Sequence, residues 1–316
     1  AAETAGILRG NRAFWQMHFW LVEHGEDLTS AQLERAIREQ GYDPDEFSRV
    51  MHTEQALQPI QEDVDEAVDL GLLTAPMVFI NGVELRGWNA PNAMARAVEA
   101  LAVANPPVLT AEHDQPARAS EKYIADWRAQ PALKLASTAQ PHARGEVDAR
   151  LRIVVWGDYQ DPDTAELDQV VMDFIAGRRD VRYEFRHFPM DKTCNSKIAA
   201  TVRPRACLAA RAAEAAGRIG GPEAFWRLHA WLLQNQSGFS ESSLRETAAG
   251  FGLNKDLNQA MEERDVLAAI VADISAGYAV HAQNTPVIFV NEKFVPRWKH
   301  DGDPVLQRIL AEAARD

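Results

Sequence analysis

Residues 212–232 read AAEAAGRIGGPEAFWRLHAWL and residues 1–21 read AAETAGILRGNRAFWQMHFWL, twelve identities in twenty-one positions at a constant offset of 211. The register continues through Leu33 and Leu244, then Gly41 and Gly252. Shifted by one residue, it returns in Ala75-Pro76-Met-Val-Phe-Ile-Asn81 against Thr285-Pro286-Val-Ile-Phe-Val-Asn291. Self-similarity of this kind means two copies of one fold in tandem. The second copy has residues 151–211 ahead of the repeat, whereas the first opens at the repeat itself. The first domain is therefore expected to lack its N-terminal portion in this chain.

The 316 residues suffice for two domains of ordinary size, each with its own core. A formal net charge of −13 argues against nucleic acid or an anionic membrane surface as partner, since both repel it unless a basic patch intervenes. The one dense basic stretch, Lys197 to Arg211, is short. No apolar run reaches the roughly 18 to 20 residues a bilayer span needs, so no transmembrane segment is expected in this chain. A basic-plus-apolar leader is not visible either, which says nothing about compartment if the chain opens inside a domain.

From Ala1 to Gly71 apolar residues recur at helical spacing, broken at Gly25 to Thr29 and Gly41 to Pro44, where Thr, Asp and Pro supply turn and N-cap chemistry. Pro76 to Asn81 is a β-branched and aromatic run ending in Asn81-Gly82, a strong hairpin signal, with Val83 to Leu85 as partner strand. Asn89-Ala-Pro91 opens a closing helix to about Ala104. Residues 105–150 hold Pro106, Pro107, Pro116, Pro131 and Pro141 and read as a Pro-rich linker. Within it, Ser120 to Arg128 is expected to be a short helix, and Ala132 to Ala136 a strand added to the second sheet. Leu151 to Trp156 then reads as a buried strand, Pro162 to Ala176 as a helix and Val181 to His187 as an alternating strand. Long helices follow from about Arg205 to His281, then a hairpin of Val287 to Val290 with Phe294 to Pro296, then a last helix from Asp303.

The order βαβ, helical insert, ββα, with an X-Pro step just before the third strand, resembles the DsbA-like branch of the thioredoxin fold. The resemblance covers the whole of 151–316, and in 1–104 the insert, the hairpin and the closing helix. It implies an α/β protein of two thioredoxin-like domains with helical insertions, the first without its N-terminal βαβ portion. Ala75-Pro76 and Thr285-Pro286 look like the family's cis-proline loops, which turn free backbone polar groups toward the active-site helix and can grip an extended peptide.

The family's chemistry sits in a Cys-X-X-Cys at the start of the first helix, where unpaired N–H groups and the helix dipole stabilise a thiolate. Here that position reads Asp161-Pro162-Asp163-Thr164. The second domain is therefore expected to be inert in thiol exchange, with no catalytic residues. Asp161 would cap the helix, Pro162 suits its first turn and Asp163 adds favourable charge. The competing idea, that Asp158, Asp161 and Asp163 bind a cation or act as acid and base, is weaker, because capping already accounts for two of them.

Cys194 and Cys207 are the chain's two cysteines. Paired, they would close a short loop worth about 3 kcal/mol in the chain-entropy model. The surrounding Asp191-Lys-Thr-Cys194 and Ala206-Cys207-Leu-Ala resemble a cysteine pair of some tandem DsbA-like domains, which favours a structural disulfide and an oxidising compartment. The alternative makes Cys207 a low-pKa thiolate beside Arg203 and Arg205, with Cys194 resolving it. Zinc is disfavoured, with two thiols and no clustered histidine visible. No metal and no cofactor are expected.

His18 and His229 match in the repeat, and the plain reading is a packed ring bonding a nearby carbonyl. Arg86-Gly-Trp88 and Pro296-Arg-Trp-Lys-His300 are candidates for a partner-binding lip. The resulting expectation is a periplasmic or otherwise extracytoplasmic protein with a redox-silent second domain that binds protein or extended peptide. An oxidoreductase activity would require a Cys-X-X-Cys upstream of Ala1. The alternative is a non-enzymatic scaffold subunit with both domains inactive, the first completed by a missing segment or a partner subunit.

Overall fold

A computed structural model describes residues 1–72, 75–107, 116–137, 142–253 and 257–315. The chain divides into two units, Ala1–Ala119 and Ser120–Asp316.

In the first unit, helices α1 (Ala2–Arg9), α2 (Asn11–His24), α3 (Ser30–Glu39), α4 (Pro44–Met51) and α5 (Glu54–Asp69) precede a hairpin of β1 (Phe79–Ile80) and β2 (Val83–Glu84), closed by α6 (Ala93–Ala104). The breaks foreseen in sequence carry the expected caps. Thr29 forms a capping box with Gln32 at the start of α3. Asp43 Oδ1 accepts from Glu46 N–H at 2.8 Å, with Pro44 in the first position of α4. The core is small, with Met17 and Phe47 fully buried among Ala5, Ala13, Ile37 and Tyr42.

The second unit begins with α7 (Ala119–Ala129) and an edge strand β3 (His142–Arg144), then β4 (Leu151–Gly157), α8 (Pro162–Ile175) and β5 (Val181–His187). The helical insert is α9 (Ala206–Gln234), α10 (Glu241–Gly250), α11 (Leu257–Met261) and α12 (Arg264–Ala279). The hairpin β6 (Val287–Val290) and β7 (Lys293–Phe294) and helix α13 (Val305–Ala313) end the fold. The sheet order is β3-β5-β4-β6-β7, with β4 and β5 parallel and the other pairings antiparallel. This is the expected βαβ, helical insert, ββα order. Central β4 is buried along nearly its whole length, which explains its unbroken apolar run.

Three details depart from the sequence reading. Residues 120–137 belong to the second unit: Tyr123, Ile124 and Trp127 of α7 are buried, and Arg128 and Glu121 pair with Glu312 and Arg308 of α13. Parts of the proposed linker, 108–115 and 138–141, lie outside the described residues. The strand expected over Ala132 to Ala136 reduces to one bridge, Ala132 to Lys293, with Leu133 N–H donating to Glu292 O at 2.9 Å. Strand β7 sits one residue earlier than expected. Asn291 and Glu292 both take positive φ, 48° and 64°, giving a two-residue turn, and Pro296 has no N–H to extend the ladder.

The repeat is also a repeat of geometry. Gly10 (φ 83°, ψ −178°) separates α1 from α2, and Gly221 (φ 76°, ψ −174°) kinks α9 at the matching position, a conformation open essentially to glycine alone. Helices α5 and α12, sixteen residues each, match at an offset of 210. Burial differs sharply between the copies. Trp226 is 4% exposed and its counterpart Trp15 is 48%; Ile270 is 0% and its counterpart Ile60 is 44%. In the second unit these faces lie beneath the sheet: Trp226 contacts Tyr183 of β5, and the α12 residues Asp273 and Gly277 meet Trp156 of β4. In the first unit, Trp15, Phe19 and Val22 on α2 and Leu57, Ile60, Val64 and Val68 on α5 form exposed apolar stripes at helical spacing.

Truncating Trp226 to Ala is expected to destabilise the second unit by about 3–5 kcal/mol, and truncating Trp15 to cost within about 1 kcal/mol. Urea unfolding of the whole chain checks the pair; equal losses would contradict the burial difference.

Candidate functional site

Helix α8 begins at Asp161-Pro162-Asp163-Thr164, the segment expected from sequence to hold the thiol position. Pro162 occupies its first turn at no cost in hydrogen bonds, and Asp161 holds the N-cap position. The expectation that the Asp161 side chain caps the helix is corrected: it bonds none of the helix N–H groups. Its Oδ2 accepts from the Thr164 hydroxyl at 2.9 Å and its Oδ1 from Arg203 Nη2 at 2.7 Å. A guanidinium offers a charge-assisted bond that a neutral amide does not match.

Arg203 ties the site together. Besides Asp161, its Nη1 donates to Thr285 Oγ1 at 3.4 Å and lies 3.8 Å from Asp158 Oδ2. The guanidinium thus links the helix start to the cis-proline loop; both Ala75-Pro76 and Thr285-Pro286 are cis. Thr285 and Pro286 are half-buried, whereas Ala75 and Pro76 of the first unit are exposed. Beside the helix start lies a cleft of about 350 Å³ lined by Gln160, Pro162, Leu233, Gln234, Gln236 and Ser237.

Of the three carboxylates near this helix, Asp158 and Asp161 both face Arg203 and Asp163 does not. Asp158 is buried and accepts from the backbone N–H groups of Gln160 at 2.7 Å and Met190 at 2.8 Å. Burial pushes its carboxyl up to about 6, against the pull of these two bonds and of Arg203. Asp163 faces outward and pairs, with Glu166, to Lys299.

Cys194 and Cys207 form a disulfide with a Cα–Cα distance of 5.5 Å, and both are buried. The cross-link joins the loop after β5 to the first turn of α9. Arg205, considered as an activator of Cys207, instead donates to Phe239 O at 2.6 Å. Arg203 was visible in sequence only as a neighbour of that cysteine; its part in the site depends on the fold of the cross-linked loop.

His229 is packed, as expected, but bonds a carboxylate and a phenol instead of a carbonyl. Its Nε2 meets Asp168 Oδ1 and its Nδ1 meets Tyr159 Oη, both at 3.0 Å, while Tyr183 donates to the same Asp168 oxygen at 2.6 Å. Its counterpart His18 is half-buried and lies among Phe14, Trp15 and Phe19. In the two candidate lips, Trp88 is exposed, whereas Arg297 lies over the Tyr123 ring and Lys299 over Trp298. A further cluster unseen in sequence, His142, His187 and Glu214, assembles between β3, β5 and α9.

Residues 137–306 match the family model described as Thioredoxin, and residues 1–99 match the DSBA-like thioredoxin domain. The chain belongs to the thioredoxin family, in its DsbA-like branch. Among solved structures it is similar to oxidised BdbD from Bacillus subtilis, at 19% identity and a TM-score of 0.43 over 58% of this chain and 100% of that one. It is also similar to the catalytic domain of Proteus mirabilis ScsC, at 19% identity and a TM-score of 0.47 over 62% and 98%. Among curated proteins it is similar to Na(+)/H(+) antiporter NhaA 1 of Salinispora arenicola, 30% identical over 171 residues, covering 54% of this chain and 24% of that protein. NhaA 1 of Mycolicibacterium vanbaalenii is 32% identical over 181 residues, covering 53% and 27%. The chain thus spans about a quarter of the length of these curated relatives.

A carboxyl raised in the fold costs stability as pH climbs from its unfolded value, about 4, through its folded one, about 6 for Asp158, and no more above that. Arg203→Met removes a cation that holds this carboxyl down, so the loss should extend above pH 6. The variant is expected to be about 1–3 kcal/mol less stable than the parent at pH 7.5, with a smaller deficit at pH 5. Urea unfolding at the two pH values measures this; a deficit independent of pH would contradict it.

Proposed function

We propose that this is a DsbA-like protein of the thiol:disulfide oxidoreductase family whose second domain is redox-silent and works as a structural or peptide-binding module. The observation that carries this reading is the ion pair of Asp161 with Arg203 at the start of α8, where the chemistry of the family requires sulfur. Both cysteines of the chain are consumed in a buried cross-link. Thiol exchange needs an accessible thiolate or disulfide, and the helix start offers neither. A backbone suited to a peptide remains: the half-buried cis Thr285-Pro286 step can take an extended chain by main-chain hydrogen bonds, which need no sulfur. Catalysis in the working protein would then rest on a Cys-X-X-Cys outside these residues. An extracytoplasmic setting fits the structural disulfide.

The exposed stripes of α2 and α5 favour a second element of this reading. The second unit covers the equivalent faces with β4 and β5, so the first is inferred to receive a βαβ segment of the same kind, from a longer chain or from a partner subunit. In the scaffold version of the proposal, that covering is the function, and both domains are inactive. The match to a quarter of each antiporter suits a module carried within a larger protein.

The whole chain is expected to give no insulin reduction with dithiol as electron source. The Asp161→Cys, Thr164→Cys double variant is expected to gain measurable turnover, since the new thiols sit at a helix N-terminus beside Arg203. Clear turnover by the unaltered chain would overturn redox silence. For the uncovered face, Trp15→Lys with Ile60→Lys is expected to leave stability within about 1 kcal/mol and to lower binding of a hydrophobic dye at least severalfold. Unchanged dye binding would mean that the face is already covered.

A further inference from the structure

From the cluster of His142, His187 and Glu214 we infer a zinc-binding site inside the second unit, made of residues other than those at the start of α8. Each residue offers one ligand atom, and the three atoms lie within 4.8 Å of one another. They come from three elements: His142 from edge strand β3, His187 from the end of β5 and Glu214 from the first half of α9. Two imidazoles and a carboxylate are a donor set that suits Zn²⁺, which takes three protein ligands and keeps a fourth position for water.

The independent sign of a missing ligand is His187. Its side chain is fully buried, and among the described residues neither ring nitrogen has a hydrogen-bond partner. An unpaired buried polar group is destabilising, and here two occur on one ring. Glu214 Oε2 is the nearest carboxylate oxygen to this ring in the cluster, 3.8 Å from Nε2 and beyond hydrogen-bond reach.

The rest of the cluster is arranged as a ligand shell would be. Glu214 Oε2 also meets His142 Nε2 at 2.5 Å, while Oε1 accepts from Arg218 Nε at 2.9 Å, which fixes the carboxylate with one oxygen turned to the histidines. His142 stacks on Phe225, with ring centroids 3.6 Å apart and planes at 2°. A Cβ at Gly217 would come within 3.0 Å of the His142 ring, so glycine there makes room for it. With Zn–N and Zn–O bonds of about 2.0–2.1 Å, tetrahedral donors stand roughly 3.3 Å apart. The His142–Glu214 contact must open and the His187–Glu214 contact close by less than about 1 Å each, while the two histidine nitrogens, within 4.8 Å of each other, close by up to about 1.5 Å. Zn²⁺ takes the place of the proton between His142 Nε2 and Glu214 Oε2. A singly protonated ring carries its proton on Nδ1 instead and a doubly protonated ring releases one to solvent, so His142 coordinates as neutral imidazole. The His142 side chain is 14% exposed, which places the entry path and the water ligand at the sheet edge.

The test is zinc binding by the whole, unreduced chain after chelator treatment, followed by competition with a chromophoric chelator and by metal analysis. One zinc per chain is expected, and cobalt(II) in its place should give visible bands of a four-coordinate site without thiolate absorption. His142→Ala, at the partly exposed sheet edge, should weaken binding by more than the tenfold to hundredfold typical of an outer-shell loss, and Arg218→Ala by about tenfold. His52→Ala, on the exposed surface of the first unit, should leave it unchanged. A hundredfold excess of zinc over Kd should raise the unfolding midpoint of the parent by about 5–10 °C and that of Glu214→Gln far less. Absence of binding, or binding indifferent to both His142→Ala and Glu214→Gln, would overturn the proposal and leave water as what His187 bonds.

Discussion

The structure depends on covering one helical face. Phe225, Trp226 and His229 of α9 lie under β5 and α8, where Phe225 and Trp226 supply apolar area and His229 supplies a bond to Asp168. Burial of aromatic side chains of this size outweighs other single contributions to such a core, and the polar group among them is tolerable because both its nitrogens are paired. Asp168 stands on α8, so the same contact that closes the core fixes that helix against α9. Tyr159, in the loop that leads into α8, bonds the other nitrogen of His229. The position of the α8 start is therefore set from beneath, independently of the residues at its tip.

That independence explains how the tip can change while the fold persists. Asp161, Thr164, Arg203 and Thr285 make a closed set of hydrogen bonds in which each polar group finds a partner. The arrangement joins the same two structural features that thiol chemistry would use, the helix N-terminus and the cis-proline loop, through a guanidinium. The disulfide of Cys194 and Cys207 holds the loop that carries Arg203, so the chain's sulfur supports the site without entering it.

Much of this was legible in the sequence, for definable reasons. The repeat announced two copies, and strands β4 and β5 were readable because a buried strand and an alternating strand have distinct patterns. The first hairpin was readable from Asn81-Gly82, and the second from its match to the first, although its turn at Asn291-Glu292 was not. The edge strand β3 was not, because three residues at a sheet edge carry no period of their own. The ion pairs that tie α7 to α13 join residues more than 180 positions apart, which local pattern does not encode. Asp161 was placed correctly at the helix start but assigned the wrong partner, since capping is a local rule and Arg203 arrives from 42 residues away. His142, His187 and Glu214 stayed hidden for the same reason: only the pairing of β3 with β5 and the packing of α9 bring them together.

The central claim is that the sulfur of this chain is structural, covered and outside the site. Its most direct measurement is the rate at which a small dithiol reduces Cys194–Cys207 in native buffer, followed by alkylation and mass. The account predicts reduction no faster than unfolding, accelerated by each increment of urea, because both sulfur-bearing residues are buried. Complete reduction of the folded protein within seconds would contradict it and place an exchange-competent disulfide in the second unit.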